Sequence, residues 1–136
     1  MDSTANLDRL LRTLNPQRQP GVYAFALAPA VCDLAALQPV ATFCEAEGTT
    51  LIMEEARTRA AGLDVLYRAA WLTLTVPSGL QDVGLTAAVA TALANAGIAC
   101  NVVAAVHHDH LFVPVDAADA ALAVLAALQR AAAAPD

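Results

Sequence analysis

The stretch that decides the fold begins Leu72-Thr73-Leu74-Thr75-Val76-Pro77-Ser78-Gly79-Leu80-Gln81-Asp82-Val83-Gly84-Leu85-Thr86 and runs on to Leu111-Phe112-Val113-Pro114-Val115. Residues 72–76 alternate as a half-buried strand does, and Pro77 to Thr86 turns the chain and opens a helix. Leu85, Val89, Ala92, Leu93 and Ala96 recur at helical spacing, so that helix has one buried face. Gly97 stops it. Ile98 to Val106 reads as a second strand, His107-His108-Asp109-His110 as a turn, and Leu111 to Val115 as a third strand. Asp116 is placed to cap a last helix, whose Leu122, Leu125 and Leu128 share a face. The order is strand, helix, strand, strand, helix. Pro114 cannot donate to a ladder, so its strand lies at an edge or ends there.

The first half repeats these themes less clearly. Ser3 or Thr4 is placed to cap a short helix with Leu7, Leu10, Leu11 and Leu14 on one face. Asn15 to Gly21 ends it, and Val22 to Ala28 follows as a strand. Pro29 to Pro39 is a loop with one turn of helix at 33–37. Val40 to Cys44 and Thr49 to Met53 form a hairpin around Glu45-Ala46-Glu47-Gly48, and Glu54 to Ala61 a short helix that stops at Gly62. The expected division is 1–15 as a helical extension, 16–64 and 65–130 as two degenerate copies of one unit, and 131–136 as a tail. The second copy lacks a strand after its last helix, so a strand from the first half is expected to complete its sheet.

Composition narrows the function. The chain has 136 residues, 58% of them apolar but many alanine, and only 4% aromatic, so the core is built from Leu, Val and Ala. So apolar a small chain is expected to cover further surface in a homodimer. The net charge is −6, with seven Arg and no Lys. Without a basic stripe, nucleic acid and anionic membrane surfaces are not expected partners. Cys32, Cys44 and Cys100 are widely spaced and odd in number, which reads as free buried thiols in a reducing, cytoplasmic compartment. The start of the chain lacks the basic and apolar run of a signal peptide. Val83 to Val106 is uncharged and long enough to cross a bilayer, but Asn95, Gly97 and Asn101 interrupt it, and its period changes at Gly97.

These blocks resemble the ACT domain, a βαββαβ regulatory module of amino-acid metabolism. More closely they are similar to small bacterial proteins with two fused ACT-like halves, related to the ACT modules of the eukaryotic cytosolic arginine sensor. The residues that carry the resemblance are Glu47-Gly48-Thr49-Thr50-Leu51, Val83 to Val89, Ala96 to Val103 and His108 to Val115. It covers about Pro20 to Leu128. His107 and Cys44 depart from it, the first standing where an aromatic residue is usual and the second where a charged one is. The resemblance implies an α+β, ferredoxin-like fold of two intertwined ACT-like halves. It also implies a non-catalytic module that binds a small molecule, an amino acid, as a regulatory sensor. The alternative is an ACT-like domain kept for structure or protein interaction without a ligand.

The candidate ligand residues are Ser78, Asp82, Val83, Gly84, Leu85, Thr86, Asn101 and Glu47. A helix start offers unpaired N–H groups and a partial positive charge. Gly84 removes a side chain where a ligand carboxylate would approach, and Ser78, Asp82 and Thr86 add polar atoms. Asn101 is the one strong hydrogen-bonding side chain between Ile98 and Val106. The same residues also read as a plain helix cap at Asp82, close packing at Gly84 and a bulge at Asn101, and both readings stand at this point. Glu47, on a hairpin tip with Glu45, is a lesser candidate for a ligand's amino or guanidinium group. His107-His108-Asp109-His110 has the residue types of a metal site. However, strand geometry lets at most His108 and His110 project together, and the chain has no other His. No phosphate loop, dinucleotide fingerprint or nucleophile–base pair is present, so neither a cofactor nor catalysis is expected.

Overall fold

The computed structural model describes residues 3–133. The chain divides into two compact units: a split unit, made of the residues up to Gln19 with those from Trp71 onward, and an inserted unit, Pro20–Ala70.

The inserted unit carries β2 (Tyr23–Leu27), α2 (Leu34–Leu37), β3 (Ala41–Glu45), β4 (Gly48–Glu54), α3 (Glu55–Ala60) and the first residues of β5 (Tyr67–Leu74). Its strand order is β3-β4-β2-β5, with antiparallel neighbours throughout. Numbered within the unit, that is second, third, first, fourth, the order of a ferredoxin-like βαββαβ fold. The register sets Leu27 and Phe43 on either side of Thr50, and Phe25 beside Tyr67. One row, Ala24, Ala26, Leu51 and Met53, is buried. It faces the helices, because Arg68, paired with Ala24 in that row, reaches Glu55 of α3 at 3.1 Å.

The split unit comprises α1 (Ser3–Arg12), β1 (Pro16–Arg18), the rest of β5, α4 (Leu85–Asn95), β6 (Asn101–Ala104), β7 (Asp109–Pro114) and α5 (Ala118–Ala133). A 3-10 turn, Val115–Ala117, precedes α5. The strand order is β1-β5-β7-β6. β1 pairs antiparallel with β5, Pro16 opposite Leu74 and Arg18 opposite Leu72. The strand that completes the second sheet does come from the first half, but from Pro16–Arg18, in the segment read as ending the first helix. β5 is therefore the fourth strand of one module along its first residues and the first strand of the other along its last. Leu72, Leu74, Leu111 and Val113 form a row buried to 2% exposure or less. Arg18, in the same row, comes within 4.0 Å of Asp119, so this row faces α5.

Local chemistry explains the helix ends. α3 and α4 stop alike: Gly62 and Gly97 take φ of +74°, and Leu63 and Ile98 donate back to the carbonyls of Thr58 and Leu93. Asp33 caps α2, accepting from the amides of Ala35 and Ala36. Leu10, Val89, Leu93 and Leu125 supply buried helix side chains of the split unit, and Leu14, just past α1, is buried with them.

Several expectations are corrected. β5 begins at Tyr67 and ends at Leu74, because Tyr67–Ala69 pair with β2 ahead of the alternating run. β6 is confined to Asn101–Ala104, the N–H of Ile98 being used in the helix stop. The reversal falls at residues 105–108, so Asp109 and His110 belong to β7. Asp116 sits inside the 3-10 turn, not at the cap of α5. α5 takes in residues 131–133, expected as tail; alanine is the strongest helix former. Cys32 and Cys44 are exposed rather than buried, one in a loop and one on the outer strand β3. Ser3 and Thr4, expected as caps, fall inside α1, and their side chains, like the tail residues 134–136, lie outside what the structure describes. Among the described residues no helix is long and apolar enough to cross a membrane.

Candidate functional site

The turn before α4 is held by side chains. The amide of Gly79 donates to Asp82 Oδ2 at 2.6 Å, and the amide of Asp82 donates to the Gly79 carbonyl at 3.0 Å. Asp82 therefore closes its own turn and does not cap α4. Its other oxygen accepts from Asn6 Nδ2 at 3.2 Å, and Asn6 in turn accepts from Arg9 at 2.6 Å. Across the turn, Ser78 Oγ lies 3.5 Å from Asp109 Oδ2, on the first residue of β7. Asp109 is 9% exposed.

The cap position of α4 falls on Gly84, with φ of +101°, and no side chain caps the helix. A Cβ at Gly84 would stand 3.0 Å from Leu7 Cδ2, so α1 packs into the space the glycine leaves. Below the turn is a cleft of about 50 Å³ lined by Ser78, Asp82, Leu85, Thr86, Ala104 and Asp109. That is room for one or two waters, each of which takes roughly 30 Å³ in the liquid.

Of the residues expected at the site, the structure brings Ser78, Asp82, Leu85 and Thr86 together around this cleft, with Gly84 behind them. Val83 points outward, 70% exposed. Asn101 is exposed on β6 opposite Phe112 and outside the cleft. Glu47 is on the β3–β4 turn of the inserted unit. Two carboxylates, Asp82 and Asp109, line the cleft beside the uncapped amides of α4. The arrangement thus offers acceptors for an ammonium and donors for a carboxylate close together.

A wider, open cleft of about 620 Å³ lies in the inserted unit, lined in part by Pro20, Val22, Glu54, Glu55 and Arg59. Glu55 accepts from Arg59 at 2.8 Å and from Arg68 at 3.1 Å, and the Arg59 bond first of all holds its carboxyl below the usual range. Burial pushes the Tyr23 phenol upward, with Glu54 adding to the effect, and burial alone raises the Cys100 thiol.

One constellation in the split unit escaped the sequence reading. Trp71 Nε1 donates to His110 Nδ1 at 3.0 Å, Thr73 Oγ1 lies 3.1 Å from the same nitrogen, and Gln19 Nε2 donates to Thr73 Oγ1 at 3.0 Å. Trp71 also stacks on Phe112, with centroids 6.1 Å apart and planes at 22°. The available signal was strand parity: residues 71 and 73, like 110 and 112, share a face once the strand is extended past Leu72. His108 and His110 do approach each other, ring centroids 6.4 Å apart. Among the described residues, however, no group of three or more His, Cys, Asp or Glu could hold a metal ion.

Comparison with known proteins agrees with this architecture. Two ACT domain family models match in tandem, over residues 3–70 and 67–127, and their overlap falls within β5. The chain belongs to the ACT domain family of regulatory ligand-binding modules. A crystal structure from Vibrio cholerae, of a protein of unknown function described as a "possible transport protein", is similar over 91% of this chain and 96% of its own. The two are 41% identical, with a TM-score of 0.81. A protein from Agrobacterium tumefaciens shares the fold at 18% identity, covering 84% of this chain and 87% of that one, with a TM-score of 0.67. The aspartate kinase of Clostridium acetobutylicum, an allosteric enzyme, shares it at 11% identity over 85% of this chain and 34% of the kinase, with a TM-score of 0.61. No curated protein sequence matches.

Proposed function

We propose that this ACT protein is a non-catalytic amino-acid sensor of the cytoplasm, working as a homodimer, with its ligand at the turn before α4. The observation that carries the reading is the pairing of Asp82 and Asp109 with the uncapped start of α4, since a free α-amino acid carries an ammonium and a carboxylate a few ångströms apart. Asp82, Asp109 and Ser78 would hold the ammonium, and the amides after Gly84, at Leu85 and Thr86, the carboxylate. Val83, with Leu80 at 65% exposure, forms an apolar lip suited to the side chain or to a second copy. Asn101 is an outlying contact, and Glu47, in the inserted unit, is a separate candidate for a ligand's amino or guanidinium group. The resemblance to the arginine-sensor modules puts arginine first among the ligands to try.

The cleft is smaller than any amino acid, so binding requires the turn to open or a second copy to extend the site. Melting the protein with each of the twenty amino acids tests the proposal. A ligand at a hundred times its dissociation constant stabilises by about 2.7 kcal/mol, a shift of several degrees. Asp82→Asn should remove that shift. A shift indifferent to Asp82→Asn and Gly84→Val moves the site elsewhere, first to the cleft beside Arg59. No shift with any amino acid returns the chain to the reading that the packing of Leu7 against Gly84 favours, an ACT fold kept for protein contact.

A further inference from the structure

The row of side chains turned away from α5 in the split unit is partly polar where the buried row is all aliphatic. Trp71 and Thr73 on β5 share it with His110 and Phe112 on β7, and Gln17 on β1 sits opposite Thr73. On β6, Val103 pairs with His110 and Asn101 with Phe112. Trp71 and His110 are half-buried, and Val103 is 38% exposed.

The hydrogen bonds at the centre of this row fix one proton arrangement. An indole Nε1–H can only donate, so His110 Nδ1 must present a lone pair to it. Gln19 donates to Thr73 Oγ1, which leaves the threonine hydroxyl hydrogen free to turn toward Nδ1 as well. The indole thus requires a neutral imidazole with its hydrogen on Nε2, and the threonine hydroxyl, able to donate or accept, suits that form. A proton taken up from solvent goes to Nδ1, the remaining lone pair. There it sets one N–H against another across 3.0 Å and leaves the indole without its acceptor. The indole N–H then turns away from the imidazole.

We propose that His110 is a proton-operated latch for the indole N–H of Trp71, accepting its hydrogen bond while neutral and giving that bond up in mild acid. Burial first, and the neighbouring His108 second, disfavour the charged imidazole, while Asp109 opposes them. These two are the charged or titratable groups acting on it within the unit. Trp71, Thr73, Gln17, Gln19 and Val103, which face it from β5, β6 and the β1 segment, do not titrate, and Arg18 belongs to the row facing α5. Since the folded protein favours the neutral form, release occurs below the ordinary imidazole value of 6.5. The unfolded chain takes up the proton first, so the latch's stabilisation is complete above pH 6.5 and falls away as pH drops through the folded value. On release, the face gains a positive charge and the indole N–H loses its bond to the imidazole. The latch does not depend on any amino acid binding at the turn before α4.

Trp71 is the only tryptophan, so its fluorescence and its indole N–H resonance report on the latch directly. The full chain is titrated from pH 8 to 5 with both signals followed. One transition is expected, with its midpoint below 6.5, in which the indole N–H resonance shifts and exchanges faster with water. His110→Gln, whose carbonyl can still accept from the indole, should abolish the transition. His108→Gln should keep it but move the midpoint up by about 0.5 pH unit, the effect of one like charge removed from ~6 Å in a water-like medium. The proposal is overturned if the transition survives His110→Gln, or if the wild-type imidazole of residue 110 titrates by NMR while the indole signals stay flat. The second criterion uses the unaltered protein and holds even if the glutamine variant fails to fold.

Discussion

The two units carry one strand order under unequal cover. In the split unit, α4 has 11 residues and α5 has 16, and together with α1 they lay a row of fully buried leucines over the sheet. In the inserted unit, the corresponding helices have 4 and 6 residues, and α2 buries none of its own. Of the ten large apolar side chains exposed among the described residues, Leu27, Val31, Leu34, Val40, Phe43 and Leu66 belong to the smaller unit, and Leu80, Val83, Val103 and Val106 to the larger. A strand order of this kind thus survives the loss of most of its helix layer when β-branched and aromatic residues keep the ladders. What shrinks with the cover is the apolar area each helix removes from water.

The comparison can be broken most directly in the cores. Leu111→Ala and Leu51→Ala each delete a leucine at 0% exposure, a change that costs about 2–5 kcal/mol. Leu111 should lie at the upper end, because long helices cannot settle into the cavity, and Leu51 at the lower, where two short ones can. Equal losses in urea unfolding would refute the idea that the cover of the inserted unit is looser.

A smaller effect should sharpen the picture at the split unit's own join. Gln129 accepts from the amide of Asn15 at 2.9 Å and donates to Arg12 O and Asn15 Oδ1, both at 3.0 Å. It clamps the passage from α1 to β1, where Asn15 takes φ of +44°. Gln129→Ala is expected to cost about 0.5–1.5 kcal/mol and to speed amide exchange at residues 15–18. Asp33→Ala in the inserted unit removes the cap of a helix of 4 residues, for about 0.5–1 kcal/mol. A greater loss would show α2 to matter more than its exposure suggests. Least of all should Phe43→Ser change: within about 0.5 kcal/mol for the monomer, since the ring is 71% exposed. Light scattering on that variant separates bare exposure from use, because a fall from dimer to monomer mass would assign Phe43 to the proposed homodimer.

Much of the fold was legible because local signals agreed. Gly62 and Gly97 end their helices as read, the β3–β4 hairpin turns at 46–47, and Pro114 closes β7. The missing last strand of the second copy was also anticipated, and β1 supplies it. The edges of β5 and β6 were not legible, since pairing with a distant strand, rather than the alternation of residues 72–76, decides where each begins. The candidate site was legible only in part. The turn from Ser78 to Thr86 gathers as a cluster, but Asn101 faces away from its cleft. Asp109, read as a turn former, is instead a wall of that cleft. Nor could spacing reveal that Leu7, so far away in the chain, fills the space beside Gly84. The Trp71–His110 pair was missed for the same reason, since it depends on two strands being neighbours with matching parity.

The sharing of β5 also sets a timetable for synthesis. β1 leaves the ribosome early, but its partner residues 72–74 follow only after the whole inserted unit has been made. At the usual rate of about 5–20 residues per second, that interval is roughly 3–11 s, long compared with the folding of a small domain. The inserted unit can form its β3–β4 hairpin and pair β4 with β2 while α1 and β1 are still without β5 to join. Until then Leu10, Leu11 and Leu14, buried in the folded chain, have no sheet to pack on.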